Sequence, residues 1–548
     1  MKHTSLIGPL ALALMASPGL TINGVAQSLN PPAKFNQWSY KDMATDSIPG
    51  ISLDKAYQLL KGRKSVPVTV GVVDSGIDIA HEDLRDVIWK NPKETSGNNA
   101  DDDKNGYADD VNGWNFMGTK DGTTYEADLD EVGQITTDFG PKFANADPAK
   151  LSAADKKLYD TYLKAKAQYA KSNARTNSLR TLVRDQATYN RGIDALATLL
   201  AGKPFTRESV TTLEVGNDTA AMGAKNLVAE IFAPQAGTFD NLTSRLKQVY
   251  DKLKPAILTE IGGETPPTNA RKAVGDDPLN PNERNYGSPK LNIGKSEELA
   301  MHGTHVAGII GAKRGNGVGV DGVADNVRLM MVAVVPGGGD ERDKDVANGI
   351  RYAVDNGAKV INMSFGKHFS PYKDAIDAAI RYAEEKDVLL VHAAGNSSDN
   401  VDSLPSYPRP KYEDGTVAKN YMTVGNSTRR FGPTLPASSS SYGQNDVDIF
   451  APGTDIDNTT PHNGYQSLTG TSMASPCVAG VAALLRSYFP SLTAVQVKEI
   501  LMKSAYKPSV MVRLPGRAGG DLVPFSTLSK SGGIVNAAEA VKLAMVVK

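Results

Sequence analysis

The chain has 548 residues, 40% of them hydrophobic and 22% charged, with a formal net charge of −1. That length supports a large core and more than one domain, and a balance so near neutral excludes a bulk electrostatic pull toward nucleic acid or an anionic membrane. Cys477 is the only cysteine, so no intramolecular disulfide can form.

The elements follow in chain order. Met1-Lys2-His3 is a basic start, residues 6–20 are mostly apolar but short for a bilayer, and Gly24-Val25-Ala26 offers small residues before Gln27. This pattern predicts a signal peptide over 1–26, with an uncleaved anchor as the alternative. The expectation is therefore a secreted or periplasmic protein with no membrane attachment once the signal is removed. Residues 27–45 read as a polar, irregular N-terminal extension. A helix is expected over 52–62, then a buried parallel strand over 66–74, where β-branched residues recur up to Asp74. Strand C-termini are where open α/β sheets hold ligands.

From about residue 150 to 255 helix formers dominate, with apolar residues near a 3.6 period over 158–166 and 180–200. Residues 265–292 are rich in Pro, Asn and Gly, as loops are. Strands are then expected over 328–335, 358–364, 388–394 and 421–424, with helices between them. Alternation of this kind implies an α/β fold whose parallel sheet is covered on both faces. No internal repeat is evident.

Three short segments carry the chemistry: Val72-Val73-Asp74-Ser75-Gly76, His302-Gly303-Thr304-His305-Val306-Ala307-Gly308 and Gly470-Thr471-Ser472-Met473-Ala474-Ser475-Pro476. Each has a bland reading. Asp74 could cap a helix, His302 could belong to loop structure, and Ser472 could cap the helix that starts near Met473. Taken jointly, Asp, His and Ser in this order supply a nucleophile, its base and the group that orients the base. The order and the flanking residues resemble those of the subtilisin-like serine proteases, the subtilases.

That resemblance implies a subtilisin-like three-layer α/β fold with a mostly parallel central sheet, and an exported serine endopeptidase working through an acyl-enzyme on protein or peptide substrates. It covers residues 46–117 and 296–548, so the catalytic domain is discontinuous. Asp74 and His302 stand far further apart than the few tens of residues usual in the family, which implies a mainly helical insertion over 118–295. Val391-His392-Ala393-Ala394-Gly395-Asn396 resembles the segment whose asparagine stabilises the oxyanion, so Asn396 is expected in that role with the Ser472 N–H. Ser364, Phe365 and Gly366 resemble one edge on which a substrate strand pairs, with Ala394 and Gly395 also at the substrate. The opposite edge is expected near Pro336-Gly337-Gly338-Gly339, where glycines admit another backbone. The side-chain pocket is expected around Ser406 to Pro410. Cys477, His81, His305 and His392 read as packing residues.

Two calcium sites are expected. Asp101-Asp102-Asp103-Lys104-Asn105-Gly106 reads as the first half of a calcium loop, with Asp101, Asp103 and Asn105 as ligands and Asp109 or Asp110 closing it. It lacks the final Glu of an EF-hand, and an acidic solvated turn is the alternative. The resemblance alone implies a second, structural site from Asp46, Asp83 and Asn316, with Asp46 in place of the usual Gln.

The stretch between Ala26 and Asp46 leaves no room for the folding propeptide of many secreted subtilases. Either the insertion covers part of the active site and takes over that scaffolding, or it adds bulk or binds a partner. Gly532 to Val541 looks like the family's closing segment. A monomer is expected, with no nucleic-acid partner. A non-catalytic peptide binder and a hydrolase of esters or small amides are the rival readings; the intact motif set and the extended binding edges speak against them.

Overall fold

The computed structural model describes residues 35, 37–119, 121–125, 127–231, 239–260, 271–291, 298–517 and 521–547. The signal peptide expected over 1–26, and residues 27–34 and 36 of the extension, lie outside the described residues. Contacts divide the chain into two units, one comprising Pro32–Glu131 with Asn269–Lys548, the other Val132–Thr268.

The first unit is built on a seven-stranded sheet. Its strands are β1 (Val68–Asp74), β2 (Gly113–Asn115), β3 (Val327–Ala333), β4 (Val360–Met363), β5 (Leu389–Ala393), β6 (Tyr421–Ser427) and β7 (Ile449–Pro452), in the order β2-β3-β1-β4-β5-β6-β7. Every neighbouring pair is parallel. The strands are buried almost throughout, which is why they read as unbroken apolar runs rather than as alternations. Asp74 pairs with Ala333 and Val73 with Met363, so β1 is central and ends level with both neighbours. A two-stranded antiparallel hairpin, β8 (Ile456–Thr460) and β9 (Gly464–Leu468), follows the sheet.

Helices cover the sheet. Asp343–Asp355 and Lys373–Glu385 alternate apolar and charged faces and pack on one side. The helix Thr471–Tyr488 is different: residues 471–487 are all buried, and it lies against β1 and β4 to β7. Its Ala, Gly and Val content suits a helix enclosed on every side. The extension is less irregular than expected, because Trp38 enters the core and its indole N–H donates to the carbonyls of Thr454 and Asp455.

The second unit is helical, as the pattern over 150–255 predicts. Its long helix Ala153–Val183 is capped by the Ser152 hydroxyl, and Gln186–Leu200 by the Asp185 carboxylate. Leu179, Leu182, Tyr189, Ile193, Leu196, Leu227 and Leu246 form a separate core. A Cβ on Gly223 would stand 2.3 Å from the Ser178 carbonyl oxygen, so glycine there lets two helices touch backbone to backbone. This unit is narrower than the insertion expected over 118–295. Tyr286 and Ser288 bond into the first unit, through the Trp114 indole and the Asn115 backbone.

Candidate active site

Asp74 ends β1, 2% exposed, and its Oδ1 accepts from the Ser75 backbone N–H at 2.8 Å. The same oxygen lies 2.7 Å from His302 Nδ1. A carboxylate there holds the hydrogen on Nδ1 and leaves Nε2 as the basic nitrogen. His302 rides on the helix Glu298–Gly311, and what seats that helix is glycine. A Cβ on Gly303 would fall 2.0 Å from the Gly76 carbonyl oxygen, so the helix meets the turn after β1 directly. His302 Nε2 is buried and has no hydrogen-bond partner among the described residues.

Ser472 is the second residue of the buried helix, 7% exposed. Its hydroxyl donates to the Ser364 carbonyl at 3.0 Å. The Ser364 hydroxyl donates in return to the Ser472 carbonyl at 3.0 Å. That carbonyl is available because Pro476, four residues on, has no N–H to occupy it. The proline of the serine motif thus frees an acceptor that ties Ser472 to Ser364.

Asn396 Oδ1 accepts from the Thr471 backbone N–H at 2.9 Å and from its hydroxyl at 3.1 Å. This anchors the amide by its oxygen and leaves the NH₂ as donor. The Ser472 N–H sits in the first helical turn, where amides lack intrahelical acceptors and the helix dipole favours negative charge. Gly395 holds φ +107, a conformation that suits glycine, and Ala394 N–H donates to the Val424 carbonyl. Thr471 was not singled out by sequence; its place inside the serine motif was the available signal.

Phe365 is buried, and its carbonyl accepts from His392 Nε2 at 2.7 Å. Burial lowers the His392 pKa to about 4 and that of His305 also to about 4, so both stay neutral near pH 7. His305 Nε2 reaches the Ile456 and Gln466 carbonyls at 3.0 and 3.1 Å, clamping the β8–β9 hairpin. Burial pushes the Cys477 thiol up to about 12. Ser406, Pro408, Arg409, Pro410 and Ala394 line a small cavity, whose wall carries an Arg409–Asp446 ion pair of 2.9 Å. At the opposite edge the backbone admitted by the glycines is the chain's own. Ala127 pairs in parallel with Gly338, and a Cβ on Gly339 would lie 2.3 Å from the Asp128 carbonyl oxygen.

The metal candidates divide. Ligand oxygens of Glu94, Asp101 and Asp103 come within 4.8 Å of one another. Three carboxylates in that arrangement suit a hard, oxygen-seeking cation. Glu94 had no sequence signal, lying seven positions before the acidic loop. Asn105 adjoins the cluster, its N–H donating to Asp101 and Asp103. Glu94 also accepts from the Asp102, Asp103 and Asp109 N–H groups; Asp109 accepts from the Gly97 and Asn99 amides, and Asp110 from Asn91, Asn105 and Tyr352. Asp83 and Asn316 do meet, at 2.6 Å, but with the Asn316 amide donating to the carboxylate. The other Asp83 oxygen accepts from the Val320 N–H and the Tyr465 hydroxyl. Asp46 is exposed and accepts from the Asp42 N–H at the start of its own short helix, so the structure does not join it to that pair.

Comparison with known proteins gives the family. The profile of the subtilase family matches residues 140–533, taking in His302, Asn396 and Ser472 and beginning after Asp74. Subtilisin DY of Bacillus licheniformis is 42% identical over 207 residues, covering 37% of this chain and 70% of its own. Subtilisin Savinase of Lederbergia lenta is 39% identical over 205 residues, with the shares 37% and 70%. Alkaline elastase YaB of Bacillus sp. (strain YaB) is 37% identical over 219 residues, covering 40% of this chain and 52% of its own. This chain thus spans about half the length of several curated relatives it matches. A crystal structure of a cold adapted subtilisin-like serine proteinase is 34% identical, covering 38% of this chain and 70% of its own, at a TM-score of 0.32. With the family profile matched over most of the chain and the motif order Asp74, His302, Ser472 in place, this chain belongs to the subtilase family.

Proposed function

We propose that the chain is an exported serine endopeptidase that hydrolyses protein or peptide substrates through Asp74, His302 and Ser472. The observation that carries the reading is the 2.7 Å contact between Asp74 Oδ1 and His302 Nδ1, made between segments more than two hundred residues apart in sequence. Ser472 Oγ attacks the substrate carbonyl carbon as its proton passes to His302 Nε2. Asp74 holds the imidazole in place and stabilises the imidazolium. The Asn396 NH₂ and the Ser472 N–H receive the negative oxygen. The imidazolium then protonates the leaving amine, and water resolves the acyl-enzyme by the same steps in reverse. The hydroxyl must turn from the Ser364 carbonyl to the imidazole, as catalytic hydrogen bonds often tighten only once substrate is bound. Substrate backbone pairs along Ser364 to Gly366, which makes no backbone-to-backbone hydrogen bond at Gly366 to another described residue.

Glu94, Asp101 and Asp103 would hold a calcium ion; its charge would offset the repulsion among the carboxylates and brace the loop. Export rests on the leader pattern of residues 1–26. No helix among the described residues is long and apolar enough to cross a membrane.

The test is labelling by a fluorophosphonate, followed by casein cleavage, in the wild type, Ser472→Ala and Asn396→Ala. Ser472→Ala should abolish both, and Asn396→Ala should lower kcat by about 100- to 1,000-fold. A folded wild type that takes no label would refute the reading in favour of a peptide-binding protein.

A further inference from the structure

Glu341 is fully buried, and neither oxygen of its carboxylate has a hydrogen-bond partner among the described residues. A buried carboxylate left in that state is strongly unfavourable unless a cation or donors meet it. Lys367 offsets part of that cost by its charge but makes no hydrogen bond to the carboxylate. Lys367 Nζ goes to the Glu341 backbone carbonyl at 2.8 Å and to the Asp343 carboxylate at 2.8 Å. Further carboxylates crowd the same place. Asp340 accepts from the Glu131 N–H at 2.7 Å, and Glu131 Oε2 accepts from the His368 and Phe369 amides at 2.6 and 2.8 Å. Burial, with the Asp340 carboxylate beside it, raises the pKa of Glu341; the same two causes raise that of Glu131 to about 7.

The position of this cluster follows from the substrate edges. Ser364 O lies 3.0 Å from the nucleophile, so the residue at the scissile bond sits opposite Ser364. Strand pairing advances two residues per repeat, which puts the third residue before the cleaved bond opposite Gly366. The next position meets Lys367 and His368, at the Glu341 and Glu131 groups. On the other edge, Glu341 follows Gly339 by two residues. The groove is also bridged there. Ala127 to Leu129 pairs with Gly338 to Asp340, and two residues later Glu131 ties into His368 and Phe369. An extended peptide therefore meets chain as well as carboxylates at this point.

On the reading of the cleft as a peptidase site, we propose that Glu341, with Asp340 and Glu131, forms a subsite for an ammonium group three to four residues before the scissile bond. The ammonium is either the α-amino group of a substrate that ends there or a lysine side chain at that position. It supplies the Glu341 carboxylate with charge and donors together, as in other charge-assisted hydrogen bonds.

The test uses the full chain and quenched fluorescent peptides of one sequence, with two to six residues before the cleaved bond. Each is made with a free or acetylated N-terminus, and with Lys or norleucine at the fourth position. An α-ammonium subsite predicts that free tri- or tetrapeptide extensions exceed their acetylated twins at least about tenfold in kcat/KM. A lysine subsite predicts the same factor for Lys over norleucine whether or not the terminus is acetylated. In Glu341→Gln, an isosteric change, the ratio should fall toward one. Equal rates across the wild-type series would overturn the inference, as would a Glu341→Gln chain that keeps the wild-type ratio. Fluorophosphonate labelling of the wild type separates this from failure of the peptidase reading: no label refutes that reading and this inference with it, whereas label with a flat series refutes this inference alone.

Discussion

His392 offers a test of the physical account of the core beneath Phe365. It is 1% exposed in β5, and burial lowers its pKa from 6.5 to about 4. The unfolded chain, with a histidine pKa of 6.5, binds more protons between those values than the folded one. Its contribution to stability is therefore full above pH 6.5 and is lost progressively as pH falls toward 4. A shift from 6.5 to about 4, at 1.36 kcal/mol per unit, gives about 3 kcal/mol. The comparison is His392→Gln in a Ser472→Ala background, which prevents self-digestion. A glutamine amide can still donate to the Phe365 carbonyl, now reached by His392 Nε2 at 2.7 Å, but cannot titrate. Urea unfolding would be followed by tryptophan fluorescence; Trp38, Trp89 and Trp114 are all buried in the unit that carries the site. The variant's stability deficit at pH 7 should shrink by about 3 kcal/mol by pH 4, because only the parent loses the histidine contribution. A deficit that stays constant across that range would refute the claim that His392 is held neutral by burial.

Two further outcomes follow from the geometry. Millimolar calcium should raise the melting temperature of the Ser472→Ala chain relative to chelator, and Glu94→Gln should remove most of that difference; an unchanged calcium response would exclude the Glu94, Asp101 and Asp103 cluster as the site. Gly303→Ala places a methyl 2.0 Å from the Gly76 carbonyl oxygen, so it should destabilise by about 1–3 kcal/mol and slow fluorophosphonate labelling more than tenfold by moving His302 off Asp74; wild-type labelling rates would show that the helix has room to yield.

The parallel strands were legible because each is buried on both faces and spelled by β-branched residues, as in β1 and β5. The short strand β2 was not, since Gly113-Trp114-Asn115 is too brief to show a period and is fixed by its pairing with β3. β7 ends in Pro452 and was missed for a similar reason. Asp74, His302 and Ser472 stood out because each lies among small residues, and the structure gives the reason at Gly303 and Gly76: backbones must touch there. The metal candidates show the opposite case. Asp101 and Asp103 alternate in sequence and meet in space, but the third carboxylate comes from Glu94, which no local pattern marks. Asp109 and Asp110 accept from nearby amides and, for Asp110, the Tyr352 hydroxyl, just as Glu94, Asp101 and Asp103 accept from the amides around them; what sets those three apart is that their oxygens converge within 4.8 Å. A spacing rule counts carboxylates; it does not show which of them converge.

Glu341 is likewise unmarked in sequence, one acid in Gly339-Asp340-Glu341-Arg342-Asp343. In the structure its neighbours have partners: Arg342 takes Asp128 and Lys367 takes Asp343, leaving Glu341 buried with no hydrogen bond to its carboxylate. The Glu341 carboxylate and the Lys367 ammonium attract each other, but no donor meets either carboxylate oxygen, and a ligand ammonium would bring charge and donors together. The same logic explains Gly339, held at φ +88 with no room for a side chain against Asp128 and Leu129. That glycine lets residues 127–129 lie on the groove edge, and the segment then reaches Glu131 and the far edge. A strand that admits its own chain at this position gives up length of groove, and what it gains is a defined end at which a charged group can be recognised.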